Sequence, residues 1–182
     1  METTGTESTS TPFPNIPPII ESDDREYRDS GVPSTVAIAG HPLHPLTMIF
    51  PIAFLAGALG SDVGYWLTRD FFWARASLWL IGLGLLGGII AAITGMSDFL
   101  RIERVRKRTA GWTHLILNIA ILLFTTLNLI IRLGDPESRL LPWGLFLSLV
   151  VGTLTSITGW FGAELSYRHK IGVVGAGSRR YP

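Results

Sequence analysis

Four long apolar stretches constrain this chain more than any other feature of its sequence. A helix needs about 20 mostly apolar residues to cross the hydrocarbon core of a bilayer, and the qualifying stretches cover residues 46–67, 74–97, 112–133 and 142–165. Hydrophobic residues make up 47% of the 182 residues and charged residues only 16%, whereas soluble domains carry roughly 25% charged residues. The sequence therefore predicts an all-α polytopic membrane protein, a four-helix bundle.

The segments outside these stretches are too short to form a second core. Residues 1–40 are rich in Ser, Thr and Pro and then acidic, so we expect a disordered tail. This tail lacks a basic start followed by an apolar run, so it does not resemble a secretory signal peptide. Residues 41–170 would hold the transmembrane domain, and residues 171–182 a C-terminal tail.

The distribution of Lys and Arg predicts the orientation. Four spans place the N-terminal tail, the middle loop and the C-terminal tail on one side, with 11 Lys and Arg residues against 4 on the other. The positive-inside rule then puts both termini in the cytoplasm. We expect a multi-pass protein of a bacterial inner membrane, with the lipid bilayer as its main partner. The formal net charge of +1 argues against binding of nucleic acid.

Several kinds of chemistry are excluded or disfavoured. The chain contains no Cys, which excludes thiol catalysis, Cys-ligated zinc and iron–sulfur ligation by its own residues. It also lacks the G-x-S-x-G, H-E-x-x-H and phosphate-loop motifs. The sequence therefore favours a protein that is not an enzyme.

The two halves of the apolar region resemble each other. Each half starts with a histidine, continues through two spans, and ends with Ile-Thr-Gly followed by a carboxylate. The first half runs from His44 to Asp98 and the second from His114 to Glu164. This pattern predicts a 2+2 internal repeat with parallel halves, related by a pseudo-two-fold axis along the membrane normal.

The predicted repeat places two histidines at one depth on opposite halves. Facing helices of a bundle often hold a cofactor, and a b-type haem needs only two axial nitrogens from the protein. His44 and His114 are therefore candidate axial ligands, with His41 of the stiff G-H-P-L-H-P segment in reserve. The Gly-rich run at 82–88 would leave room for a cofactor or allow close packing of helices.

Two alternatives to the haem hypothesis remain open. In the first, imidazoles and carboxylates bind a divalent transition metal for sensing or transport, with the candidate ligands His41, His44, Asp98, His114, Glu164 and His169. In the second, the chain is a cofactor-free structural subunit whose histidines cap helices or sense pH.

Carboxylates near the span ends have simpler interpretations as well. Asp98 and Glu164 could support a ligating imidazole or form salt bridges with neighbouring arginines, Arg101 and Arg168 respectively. Asp62 is the one charged residue inside the outer half of a span. We expect it to pair with Arg75 across the outer turn.

The G-H-P-L-H-P segment, the Ile-Thr-Gly and Asp98 that end the second span, and His114 together resemble a known family. They are similar to the bacterial four-span membrane proteins called domain of unknown function 2231, over about residues 40–173. That family has no established activity. Its members are often fused to, or encoded beside, Rieske-type ferredoxins and sugar dehydrogenases. The resemblance therefore implies a redox accessory or anchor role, with a membrane or periplasmic redox protein as partner.

Overall fold

The computed structural model describes residues 31–173, and these form a bundle of four long helices. A short hairpin of β1 (Ala37–Ile38) and β2 (His41–Pro42) leads into α1 (Leu43–Thr68). The other elements are α2 (Phe71–Arg101), the short α3 (Glu103–Arg106), α4 (Thr109–Arg132), and α5 (Leu145–Ala163), which is flanked by π-helical turns at Leu140–Gly144 and Glu164–Arg168.

Each of the four helical segments is long and apolar enough to cross a membrane, the fourth being α5 together with its π-helical turns. Their bounds contain or closely match the four predicted stretches. Large apolar side chains such as Trp79, Leu123 and Trp160 are well exposed on the outside of the bundle, where a lipid bilayer surrounds such residues. The chain is thus a multi-pass membrane protein, and the predicted all-α polytopic bundle is confirmed.

The helices form two hairpins that pack side by side. Helix α1 packs mainly on α2 and α4 mainly on α5, while α2 touches α4 and α1 touches α5 across the hairpins. The first hairpin turns tightly, because Arg69 takes a left-handed conformation (φ 59°) and Asp70 accepts a hydrogen bond from the Phe72 N–H. In this arrangement α1 and α4 lie diagonally across the bundle.

The two ends of the bundle differ in their polar residues, and each end takes its name from them. The histidine end contains the start of α1 and α4 and both described chain ends, since Val32 pairs with Ile171. The ion-pair end contains Asp62 and Arg132, near the other ends of the same helices. Between them lies an apolar layer of Leu55, Ile121 and Val151.

Residues 31–40, which the sequence predicts to belong to a disordered tail, make specific contacts. Val32 contributes to a cluster with the buried Phe99, Ile102 and Val105. The β-hairpin turns through Ala39 and Gly40, both at positive φ (50° and 79°), which glycine tolerates readily. The other residues predicted to be disordered, 1–30, and most of the predicted C-terminal tail lie outside the described residues.

Candidate functional site

His44 and His114 lie close together at the histidine end. They stand near the start of two diagonal helices, α1 and α4, and project into the bundle interior. Their ring centroids are 6.1 Å apart and the ring planes are nearly perpendicular, at 89°. Two residues that are 70 positions apart in sequence therefore form one imidazole pair.

Each imidazole of the pair is anchored to the second helix of its own hairpin. His44 Nδ1 lies 2.9 Å from the carbonyl oxygen of Ala91, and His114 Nδ1 lies 2.9 Å from that of Thr158. Because a carbonyl oxygen only accepts, Nδ1 carries the hydrogen in both rings. In a neutral imidazole the lone pair is then on Nε2, the usual arrangement for a metal-ligating histidine.

The second histidine has additional polar contacts. The Thr158 hydroxyl lies 3.1 Å from His114 Nδ1 and accepts a hydrogen bond from the Asn118 side chain at 3.0 Å. Asn118 also donates to the carbonyl of His114 itself. The His114 ring thus contacts a hydroxyl as well as a carbonyl, whereas among the described residues the His44 ring bonds the Ala91 carbonyl alone.

Glycines give the two rings their space. A Cβ on Gly95 would stand 2.7 Å from Cε1 of His44, and a Cβ on Gly162 would stand 3.1 Å from Cε1 of His114. Gly95 belongs to the first Ile-Thr-Gly of the predicted repeat. In the second half Gly162 has this role, whereas Gly159 of the Ile-Thr-Gly meets nothing within 4 Å. The glycine that contacts the histidine therefore lies inside the motif in the first half and three residues after the motif glycine in the second half.

The pair lines a partly open cavity of about 420 Å³. Its walls are mostly apolar and come from all four long helices, including Pro51, Leu122 and the small residues Gly84 and Gly88. Toward the middle of the bundle it reaches Thr125, whose buried hydroxyl has no hydrogen-bond partner among the described residues. A cavity of this size and character is typical of a small-molecule or cofactor site.

The remaining predicted site residues do not join the pair. His41 is exposed in the hairpin, where its Nδ1 donates to the Ala39 carbonyl. Glu164 forms a salt bridge with Arg168 at 3.6 Å and lies 4.0 Å from the buried His169. Within residues 31–173, no three His, Asp or Glu side chains come together as a metal-binding group.

Asp98 lines the cavity but interacts with the N-terminal segment rather than with Arg101. Its carboxylate accepts hydrogen bonds from the Ser34 hydroxyl at 2.7 Å and from the Thr35 backbone N–H and hydroxyl at 2.6 and 2.7 Å. Each of these bonds has an ionised acceptor, which makes it stronger than a neutral hydrogen bond.

A second polar cluster lies at the ion-pair end, and the sequence predicted only one of its members, Asp62. Asp62 binds Arg132 through two parallel bonds of 2.6 Å, and both side chains are 0% exposed. This contradicts the expected pair of Asp62 with Arg75. Arg75 is exposed and stacks over the Phe71 ring at 5.7 Å. Arg132 is fully buried, and a buried charge of this kind needs an internal partner of opposite charge.

The cluster satisfies every donor of the buried guanidinium. Arg132 Nε donates to Asn128, Nη1 to Asp62 and Ser77, and Nη2 to Asp62 and Ser148. These five N–H groups are all that an arginine has. Since the partners come from all four long helices, the cluster connects the two hairpins. Gly144 makes the space, because a Cβ there would stand 2.7 Å from Arg132 Nε.

Ionisable residues of the basic middle loop pair with each other at the surface. Lys107 lies 2.8 Å from Glu103, both largely exposed. The hydrogen bond and the positive charge of Lys107 lower the pKa of Glu103 below its ordinary value.

Fold and cavity together define a polytopic four-helix membrane protein with an internal imidazole pair. A family model described as a predicted membrane protein (DUF2231) matches residues 40–175. The chain belongs to this family, as the resemblance noted in the sequence implied. Comparison with curated proteins and with solved structures gave no match.

Proposed function

We propose that the chain binds haem b between His44 and His114 and acts as an electron-transfer or anchor subunit of a membrane redox system. The observation that carries the proposal is the imidazole pair on diagonal helices. Two imidazoles bound to opposite sides of one iron, with metal–nitrogen bonds of about 2 Å, have ring centres about 6 Å apart. The centroids of His44 and His114 are 6.1 Å apart.

The surroundings of the pair also favour a haem. Both Nδ1 atoms are bonded to backbone carbonyls, so in each neutral ring the lone pair that would ligate iron is on Nε2. The cavity walls are mainly apolar, as the porphyrin faces require. Two glycines on the flanking helices, Gly95 and Gly162, leave space for the rings.

The number of ligands separates the haem from a bare metal ion. A zinc or iron ion held by protein alone generally needs three or four ligands, whereas haem iron takes four nitrogens from its porphyrin. Among residues 31–173, no His, Asp or Glu adds a third ligand to His44 and His114. The haem hypothesis therefore fits the two available imidazoles better than the divalent-metal alternative does.

A cofactor-free structural role is favoured by one specific observation. Each histidine already bonds the neighbouring helix of its hairpin, His44 to Ala91 and His114 to Thr158. These contacts fasten α1 to α2 and α4 to α5 without any ligand. The two functions are separated by a spectrum, since only the haem function predicts visible absorbance.

The decisive experiment is an absorbance spectrum of the detergent-purified protein, oxidised and dithionite-reduced, expressed with added haem. We expect a Soret band and sharp reduced α and β bands at about one haem per chain. His44→Ala or His114→Ala should abolish the six-coordinate spectrum. His41→Ala is the matched control, because His41 lies in the same motif but is exposed outside the cavity, and it should leave the spectrum unchanged. A folded, colourless wild-type protein would refute the proposal.

The orientation belongs to the same proposal. The histidine end carries Arg101, Arg104, Arg106, Lys107, Arg108, Arg168 and Lys170, against four arginines toward the ion-pair end. The positive-inside rule then favours an inner-membrane protein with its histidine end in the cytoplasm. A reporter fused after residue 182 should report the cytoplasm, and one fused after Gly134 should report the opposite side of the membrane. The reverse result, or equal signals from both fusions, would contradict this topology.

A further inference from the structure

A short N-terminal segment covers the histidine end of the cavity. Residues 32–36, called the strap here, run from the C-terminal turn to the β-hairpin. Ser34 of the strap and Asp98 of α2 both line the cavity, as does Gly172 on the C-terminal side. Asp98 is about one helical turn beyond Gly95, which packs against His44. The strap therefore forms part of the cavity wall at the histidine end, through Ser34.

One carboxylate holds the centre of the strap. Three hydrogen bonds of 2.6–2.7 Å join Asp98 to Ser34 and Thr35. The Ser34 hydroxyl is also within 3.1–3.2 Å of the Val36 carbonyl and N–H, which keeps this turn compact. Nearly all side-chain bonding of the strap to the bundle thus converges on a single residue.

The first residue of the strap is fixed separately. The Val32 N–H donates to the Lys170 carbonyl at 2.9 Å, and the Gly172 N–H donates to the Val32 carbonyl at 2.8 Å. Val32 and Ile171 pack against the cluster around Phe99. At the other end, the Val36 carbonyl accepts from the Leu43 N–H. The strap is therefore attached at both ends, with Asp98 as its central contact.

We propose that the strap is a lid over the cavity, latched by Asp98, and that a ligand of the cavity is loaded from the aqueous face at the histidine end. A segment with few apolar contacts and several partly exposed hydrogen bonds opens at lower free energy than the helices around it. Release of the three Asp98 bonds would free residues 33–35 while Val32 and Val36 stay attached. The proposal concerns access to the cavity and applies to a haem or to any other amphipathic ligand.

The absence of Cys from the sequence permits a direct test. Ala92 lines the cavity, so Ala92→Cys places one thiol behind the strap. The labelling rate is measured with a charged, membrane-impermeant thiol reagent on protein prepared without added haem. We expect slow labelling in this background and at least tenfold faster labelling when Asp98→Ala is added.

Two further variants test whether faster labelling comes from loss of the bonds between the strap and Asp98. Ser34→Ala with Thr35→Val removes two of the bonds from the strap side and leaves α2 intact, and it should also accelerate labelling. Glu103→Gln is the matched control, because Glu103 is a carboxylate near the same end that bonds Lys107 instead of the strap. It should leave the rate unchanged.

Two results would overturn the lid. One is an unchanged rate in both latch variants, which would mean that the cavity is reached by another route. The other is an equal acceleration by Glu103→Gln, which would mean general loosening of this end. Neither measurement depends on haem, so failure of the lid and failure of the proposed cofactor are distinguishable.

Discussion

Asp62 and Arg132 form a fully buried bidentate ion pair, and each stands 18 residues after one histidine of the imidazole pair, Asp62 after His44 and Arg132 after His114. Eighteen residues of helix span about 27 Å, close to the thickness of the hydrocarbon core. The same two helices thus bring together two imidazoles at one end and two opposite charges at the other. The 2+2 repeat expected from the sequence would give such an equal spacing, with a carboxylate and a guanidinium at equivalent positions.

The ion pair is expected to behave as a unit in stability measurements. Asp62→Leu or Arg132→Met alone leaves one charge buried and unpaired, which costs about 3–5 kcal/mol. The double variant removes both charges and should be more stable than either single variant. Thermal or denaturant unfolding in detergent would measure the differences.

Arg75→Met is the matched control for this series. Arg75 lies toward the same end of the bundle but is exposed on the Phe71 ring, so its loss should change the free energy of unfolding by no more than about 0.5 kcal/mol. Equal destabilisation by Arg75→Met and Arg132→Met would contradict the observed pairing and restore the partner expected from sequence.

Gly144 is expected to be intolerant of even one methyl group. A Cβ would stand 2.7 Å from Arg132 Nε, so Gly144→Ala must displace a guanidinium whose five donors are all bonded. We expect a loss of about 2 kcal/mol or more, within the range for disrupted buried polar groups. Gly60→Ala is the control, because nothing lies within 4 Å of its Cβ position. A helix interior favours Ala over Gly, so this variant should melt at the same or a higher temperature.

Gly95 and Gly162 should differ in their effect on the histidines. The Cβ of Gly95→Ala would stand 2.7 Å from His44, closer than the 3.1 Å between the Cβ of Gly162→Ala and His114. If the pair binds haem, Gly95→Ala should therefore lower haem occupancy more than Gly162→Ala does. Pigment per protein measures the effect, with Gly82→Ala as an unobstructed control on the same helix. An equal loss in all three variants would argue against specific crowding of the rings.

The pKa of Glu103 offers a pH-dependent test at the surface. Lys107 lowers this pKa in the folded protein, so the pair stabilises the fold above the ordinary pKa of glutamate. That contribution is lost as the pH falls through the lowered folded-state pKa. Lys107→Gln should raise the Glu103 pKa, as followed by carboxyl NMR, and Arg69→Gln at the other end should not. Because both groups are exposed, the effect should weaken at high salt.

Helix placement was predictable because it depends on the length of apolar runs, and all four runs became helices close to the predicted bounds. The similar positions of His44 and His114 in the two halves suggested candidate ligands at one depth but not that the rings face each other. The structure brings these rings together. The partner of Asp62 was wrong because proximity along the chain suggested Arg75. The spacing from the histidines would have indicated Arg132.

Other features depended on contacts that no sequence pattern indicates. The Ile-Thr-Gly motifs are equivalent by letters, yet Gly95 contacts His44 while Gly162, not Gly159, contacts His114. The rotation of a helix about its own axis decides which of its glycines faces a histidine ring. Two glycines three residues apart lie just under one helical turn apart, so the sequence does not show which of them makes the contact. The bonds from Ser34 and Thr35 to Asp98 join residues more than 60 positions apart, with no periodicity that could reveal them.

The Arg132 guanidinium, whose five N–H donors are all bonded, bears on the order in which the two hairpins are synthesised and buried. Asp62 reaches the membrane with the first hairpin, but Arg132 is 70 residues further along the chain. At about 5–20 residues per second, roughly 4–14 s of translation separate them. During that interval the first hairpin lacks the guanidinium that neutralises Asp62 in the folded bundle. The burial of Asp62 therefore depends on both hairpins, and the first hairpin cannot complete it alone.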